Sequence, residues 1–123
     1  WINPYIDFSL KYDKDTSSIN FAFATSPTTY DDSLEVMAPG NDIWFHITAT
    51  HDRTTAKCYI DKILTSSKKT TFSPSNTQSI TIGARKFETT AQEFKGIIDE
   101  VRVYNRALSA KEIEEIYEQI YRE

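Results

Sequence analysis

A tyrosine followed by two aspartates is the group of residues in this sequence best suited to bind a ligand. Tyr30, Asp31 and Asp32 end the polar stretch 26–32, Ser-Pro-Thr-Thr-Tyr-Asp-Asp, which predicts a loop. An aromatic ring can stack on a sugar ring, and carboxylates can accept hydrogen bonds from sugar hydroxyls. The loop is therefore a candidate carbohydrate contact. The competing interpretation is a tyrosine that only packs against the neighbouring sheet.

Trp44 is a second candidate for contact with a sugar ring. It lies in the run Ile43–Thr50, in which Ile43, Phe45 and Ile47 share one face and Trp44 lies on the other. A tryptophan on that face can stack on a ligand, or it can pack as an ordinary aromatic at the rim of a sheet.

Asp99 is the candidate metal ligand. Alternation along Phe94–Tyr104 places it on the same face as Ile97 and Val101, which predicts that it points inward. A buried carboxylate needs hydrogen bonds or a cation, and Ca²⁺ prefers hard oxygen ligands. The alternative is a β-bulge at Gly96 that turns Asp99 toward a loop amide.

The sequence contains no constellation of residues that is typical of catalysis. Asp99 and Glu100 are adjacent, and neighbours on a strand point to opposite faces, so they cannot flank one glycosidic bond. Cys58 is the single cysteine, has no His or Asp at triad-like spacing, and is expected to be a small buried hydrophobe. His46 and His51 do not form a zinc motif. We therefore predict that the protein is not an enzyme and has no catalytic residues.

The length and charge of the chain limit its organisation and its partners. A chain of 123 residues fits a single domain over 1–123. The net charge of −4 argues against a nucleic acid partner, which needs a basic face. The sequence contains no run that approaches the ~20 apolar residues of a membrane span, so we expect no membrane insertion.

The elements that must position these residues are mostly strands, because aromatic and β-branched residues are abundant. Short strands separated by turn signals indicate a sandwich or a barrel. The predicted strands are Tyr5–Tyr12, Ser18–Thr25, Ser33–Val36, Ile43–Thr50, Ala56–Asp61, Ser79–Gly83 and Phe94–Tyr104.

The C-terminus changes to the period of a helix. Ser109 and Glu112 have the spacing of a capping box, in which each side chain bonds to the backbone of the other residue. An apolar stripe at helical spacing follows, and it predicts one amphipathic helix. The stripe comprises Ile113, Ile116, Tyr117, Ile120 and Tyr121.

Three ordered motifs resemble the laminin-G-like, concanavalin A-like jelly-roll family. Phe94–Ser109 is similar to the family's C-terminal motif, Trp44–Asp52 to its central strand, and Tyr59–Asp61 to the strand that follows. Lys62 stands where the family usually has a glycine after the aspartate. The resemblance implies an all-β fold, a two-sheet antiparallel jelly-roll sandwich with one short C-terminal helix.

The resemblance also implies a function. It favours a non-catalytic recognition domain that binds glycan or protein, located outside the cell or on its surface, with structural Ca²⁺ as in many relatives. One alternative is a structural or adhesive sandwich without a ligand of its own. Another is an accessory domain or fragment of a jelly-roll polysaccharide hydrolase or lyase.

The first residues resemble a motif that is not normally the start of this family's domain. Trp1-Ile2-Asn3-Pro4 is similar to the Trp-x-x-Pro that ends an early strand, and family members have further strands before it. We therefore expect an N-terminally truncated fragment, or else a compact variant that lacks those strands. Missing strands would leave open sheet edges, through which a homodimer could form.

Overall fold

The computed structural model describes residues 8–26, 29–73, 80–86 and 91–122. Within these ranges the strands form two three-stranded antiparallel sheets, A (β1-β2-β3) and B (β4-β5-β6), and a two-stranded ribbon (β7-β8). This arrangement confirms the predicted all-β sandwich with one C-terminal helix. The elements are β1 Phe8–Asp13, β2 Ser18–Ser26, β3 Thr29–Met37, β4 Ile47–His51, β5 Thr55–Ile60, β6 Ile63–Lys69, β7 Ala84–Lys86, β8 Ala91–Glu93 and α1 Ala110–Tyr121.

The core lies between sheets A and B. Alternate residues of β2 and β3 point inward from sheet A because successive side chains on a strand face opposite ways. They meet the small inward residues of β5, which let the two sheets approach each other. The buried cluster consists of Ile19, Phe21, Phe23, Leu34, Val36, Ala56 and Cys58. Burial raises the pKa of the Cys58 thiol to about 11, so Cys58 is a protonated core residue, as predicted.

The connection between β5 and β6 is a two-residue turn. Ile60 pairs with Ile63, and the two residues between them, Asp61 and Lys62, have φ values of 48° and 66°. Positive φ at both central residues is the type I′ geometry of tight hairpins, which normally carries glycine at the second position. Lys62 occupies that position here. The turn produces β6, a strand that the sequence analysis did not predict.

The strained position of Lys62 can be tested by comparing two substitutions. Lys62→Gly and Lys62→Ala both remove the ion pair with Glu118 and the contact with the Tyr117 ring. They differ only in how well the backbone accepts positive φ. We expect the glycine variant to be more stable than the alanine variant by ~1 kcal/mol, measured by urea unfolding. Equal stability would contradict a left-handed conformation at this residue.

The strand β4 starts later than the predicted Ile43–Thr50. The ladder between β4 and β5 ends at Ile47 because its partner, Ile60, is followed directly by the turn. His46 instead bonds with that turn: its amide donates to Asp61 Oδ1 at 2.8 Å, and the Asp61 amide donates to the His46 carbonyl at 2.9 Å. Residues 43–46 are therefore not part of the sheet.

Two other predicted strands are wrong. Phe94–Tyr104 has no strand conformation, because its backbone has no neighbouring strand to pair with in the described ranges. Residues 80–83 of the predicted Ser79–Gly83 are also not a strand, and Ser79 lies outside the described residues. The short ribbon of β7 and β8 follows instead, and the Phe94 amide donates to the Gly83 carbonyl at 2.8 Å.

At the N-terminus, β1 begins at Phe8. Residues 1–7, which include the Trp1–Pro4 motif, lie outside the described residues.

The helix α1 has the predicted capping box and lies against the outer face of sheet B. Ser109 Oγ accepts from the Glu112 amide at 3.2 Å, and Glu112 Oε1 accepts from the Ser109 amide at 3.0 Å. Ile113 is completely buried but does not belong to the intersheet core. Tyr117 makes an edge contact with His46, at 6.1 Å between ring centres. In the described part of the chain, α1 is too short and too polar to cross a membrane.

Candidate functional site

A cleft of ≈ 250 Å³ opens between the β4–β5 hairpin and the start of α1. We call it the hairpin–helix cleft. Its floor is the outer face of sheet B, and its wall is the segment that leads into the helix. It is lined by Thr50, Asp52, Thr55, Lys57, Ala107, Leu108, Ser109 and Glu112.

The hairpin side of the cleft is fixed by Asp52. Its Oδ1 accepts hydrogen bonds from the Thr54 amide at 2.9 Å, the Thr54 hydroxyl at 2.8 Å and the Thr55 amide at 2.7 Å. These bonds from Thr54 and Thr55 lower the pKa of Asp52 to about 2, because they stabilise the charged form. Asp52 is therefore ionised at neutral pH, and its Oδ2 atom accepts none of these bonds.

The helix side of the cleft is fixed by Glu112. Arg106 donates to both of its carboxylate oxygens, with Nη1 at 2.9 Å from Oε1, and the Ser109 amide completes the capping box. The bonds from Arg106 and Ser109 lower the pKa of Glu112 to about 2. Both carboxylates of the cleft are thus permanent anions near neutral pH, and the charge of Glu112 is balanced by Arg106.

The floor of the cleft carries polar groups that are not used within the described structure. Thr50 and Lys57 are opposite each other in the β4–β5 ladder, and Thr55 lies two residues from Lys57 on the same face. Lys57 is half-buried, yet in the described ranges its ammonium group forms no ion pair or hydrogen bond. The Thr50 and Thr55 hydroxyls are likewise without a partner there. The floor therefore offers hydrogen-bonding groups to a molecule that enters the cleft.

The predicted loop at Tyr30–Asp32 is part of a strand, which corrects the loop assignment. All three residues lie in β3, which pairs with β2 through Tyr30 and Ala24. The strand accommodates the acidic Asp32 because Lys68 and Thr70 bond to its carboxylate. The side chains of Tyr30 and Asp31 lie outside what the structure describes.

Asp32 forms a link between the sheets. Burial acts to raise its pKa, but the hydrogen bonds from Lys68, Thr70 and the Ser33 amide outweigh burial and hold the pKa below its ordinary value. Its oxygens thus bond mainly within the protein. Ligand contact at Tyr30, Asp31 and Asp32 stays a prediction.

Trp44 is 60% exposed and lies in the stretch before β4, outside the sheet. Its ring is available to a ligand, and it does not line the hairpin–helix cleft. Its predicted sugar contact therefore stays a prediction for a separate surface.

The sequence profile of the concanavalin A-like lectin/glucanases superfamily, in its laminin-G type, matches residues 3–114. The chain belongs to this family. Among solved structures, this concanavalin A-like domain is similar to an S-layer domain-containing protein from Clostridium thermocellum (residues 221–444), with 20% identity and a TM-score of 0.58. The match covers 91% of this chain and 64% of that one, and at this identity it shows a shared fold. A search of curated proteins finds no match.

The predicted inward position of Asp99 is wrong for this concanavalin A-like domain. Asp99 is exposed because residues 94–104 do not join a sheet, and its Oδ1 accepts from the adjacent Glu100 amide at 2.8 Å. Glu100 is paired with Arg102 at 3.2 Å. Among the described residues there is no group of three or more Asp, Glu, His or Cys side chains that could hold a metal ion. A Ca²⁺ ion takes six or more oxygen ligands, and calcium binding at Asp99 stays a prediction.

The sequence carried signals for parts of the cleft but not for the cleft itself. An aspartate at the end of a strand, such as Asp52, is typical of a turn, and Glu112 was predicted as a capping residue. Both residues have these roles. Lys57 had no distinguishing signal, because an isolated lysine on a strand is usually solvated. The cleft forms only because α1 returns to the outer face of sheet B. Sequence periodicity does not specify that contact.

Proposed function

We propose that this domain is a non-catalytic carbohydrate-binding domain of a larger extracellular or cell-surface protein, and that the hairpin–helix cleft is its binding site. The observation that carries the proposal is the half-buried Lys57, without a partner in the described structure, beside the ionised Asp52 in a cleft of ≈ 250 Å³. Ligand sites combine a concave surface with a few convergent polar groups.

The polar groups of the cleft match the hydroxyl groups of a sugar. A hydroxyl can donate to Asp52 Oδ2 and accept from Lys57, while the Thr50 and Thr55 hydroxyls can do both. Leu108 supplies an apolar surface for the C–H face of a sugar ring. The positive charge of Lys57 and the negative charge of Asp52 oppose each other, which favours a neutral, polyhydroxylated ligand over a charged one.

The electrostatics of the cleft support binding without catalysis. A glycosidase needs one carboxylic acid with a raised pKa to protonate the leaving group. Both carboxylates here have a pKa of about 2 and are ionised at neutral pH. Neither is suited to act as that acid.

The family and its structural neighbour support the proposed location. The superfamily's own description names lectins and glucanases, and the neighbour is an S-layer domain-containing protein. Both are consistent with a role at a cell surface. The same comparison also favours a second candidate function, a structural domain in a surface assembly, which would not bind glycan.

We expect the domain to bind a subset of neutral glycans on a broad array, and Lys57→Met to weaken that binding by about 10- to 100-fold. The estimate corresponds to the loss of a hydrogen bond from a charged group. Methionine preserves the length of the aliphatic chain, so the fold should be unaffected. Affinity for the best glycan would be measured by calorimetry.

Lys11→Met is the matched control, because Lys11 is an exposed strand lysine of β1 in the other sheet. It should bind like the unchanged protein. Equal weakening by both substitutions would contradict a site in the cleft, and no binding to any glycan would favour the structural function. Repeating the array with Ca²⁺ and with chelator tests the predicted calcium requirement.

A further inference from the structure

The segment from Ile97 to Tyr104 is an exposed apolar stretch that the proposed function does not use. Ile97 is 75% exposed, Val101 49% and Val103 56%. Every residue from 93 to 106 is exposed. Apolar side chains gathered in this way on the surface of a domain mark a surface that contacts another molecule.

The backbone of this segment also has no backbone partner among the described residues. Its last backbone bond on the N-terminal side is from the Phe94 amide to Gly83, and the next is from Ile113 to Ser109. Between them, the described structure has no hydrogen bond from one backbone group to another. The Glu100 amide bonds to the Asp99 side chain instead. A stretch whose amides and carbonyls lack backbone partners is a template for an added strand.

The conformation of Glu100 keeps the segment from being extended. Its φ is 52°, in the left-handed region that non-glycine residues avoid. In an extended, paired strand this residue would return to negative φ. Pairing would therefore relieve strain at Glu100 as well as bury apolar surface.

We propose that the partner is a second copy of this chain, whose residues Ile98 to Tyr104 pair antiparallel with those of the first about a two-fold axis at Val101. In this register Glu100 of each copy lies opposite Arg102 of the other. Ile98 of each copy likewise lies opposite Tyr104 of the other. One face of the new ribbon thus carries two ion pairs flanked by two aliphatic–aromatic pairs, which are favourable cross-strand neighbours.

The charge pattern is the reason to assign a second copy rather than an unrelated strand. A segment with an acidic and a basic residue placed symmetrically about one position is complementary to itself when it is reversed. The Glu100–Arg102 pair within one chain, at 3.2 Å, would be exchanged for two pairs between chains. An isologous interface of this kind closes as a dimer.

Charge reversal tests this register directly. Glu100→Arg and Arg102→Glu each place like charges opposite each other in both pairs, so each variant alone should dimerise at least about tenfold more weakly. A mixture of the two restores both ion pairs and should form a heterodimer. The measurement is sedimentation equilibrium over a series of concentrations. Glu115→Arg on the exposed face of α1 is the control and should leave dimerisation unchanged.

Cross-linking gives a second measurement that does not depend on the charged variants folding. The Val101 residues lie opposite each other at the axis, so Val101→Cys should form a disulfide-linked dimer on mild oxidation, whereas Lys111→Cys should not. The buried Cys58 does not compete. A dimer that shows both behaviours supports the proposal. A protein that is monomeric at all concentrations, or a dimer insensitive to the reversals and not cross-linked through residue 101, overturns it.

Discussion

Replacing Phe23 by alanine is expected to lower the free energy of unfolding by ~3–5 kcal/mol. Phe23 is completely buried between the two sheets. Its ring lies 5.2 Å from that of Phe21 and 4.8 Å from that of His51, so the substitution would leave a cavity lined by residues of both sheets. Because a domain of this size is stable by ~5–15 kcal/mol, the loss would be a large share of the total. Urea unfolding with an unchanged m value is the measurement.

Phe8 provides the matched control for this prediction. It is paired with Phe23 across β1 and β2 and points to the same face of sheet A, but it is 43% exposed. Phe8→Ala removes the same chemical group where sheet B does not cover it, so its cost should be clearly smaller. If the two substitutions cost the same, sheet B does not pack over Phe23 as the structure indicates.

The sequence predicted correctly those elements that are specified by a local pattern of side chains. Ile19, Phe21 and Phe23 alternate with smaller residues, and they do form the inner face of β2. The capping box of Ser109 and Glu112 is likewise local, because every bond in it lies within four residues. Such features depend little on the rest of the fold, and they were predicted correctly.

The sequence was less informative where tertiary contacts decide the outcome. The polar stretch that ends at Asp32 was predicted to be a loop, but Lys68 and Thr70, more than 30 residues away, bond to Asp32 and allow it to lie in a strand. The alternation from Phe94 to Tyr104 predicted a buried strand, but a strand forms only when a neighbour pairs with its backbone. The hairpin–helix cleft could not be predicted for the same reason, since its two sides are some 50 residues apart.

His51 shows how closely core and cleft are connected. Its ring stacks on Phe72 at 5.1 Å, and its Nδ1 accepts from the Arg53 amide at 2.9 Å, within the turn that also holds Asp52. Burial lowers the pKa of His51, while Asp52, Asp32 and the backbone of Thr71 act in the opposite direction. Its buried Nε2 has no partner within hydrogen-bond geometry in the described structure. A neutral imidazole thus supports the hairpin side of the cleft from inside the core.

Ile113 supports the helix side of the hairpin–helix cleft. Ile113→Ala is expected to lower the free energy of unfolding by ~2–5 kcal/mol. Ile113 is the residue of α1 that is completely buried. A helix of 12 residues is marginal in isolation, so its formation here depends on packing against the sheet. Weakening that packing should loosen the segment that contributes Leu108 and Ser109 to the hairpin–helix cleft.

The same substitution should therefore weaken glycan binding although Ile113 does not line the cleft. Glu115→Ala, on the exposed face of the same helix, is the control and should change stability by less than ~0.5 kcal/mol and leave binding unchanged. Stability would be measured by urea unfolding and affinity by calorimetry under conditions in which the variant remains folded. If Ile113→Ala reduces stability but leaves affinity unaltered, the ligand is bound elsewhere, and the exposed Trp44 becomes the next residue to substitute. A loss of both would indicate that the contact between α1 and sheet B builds the binding site.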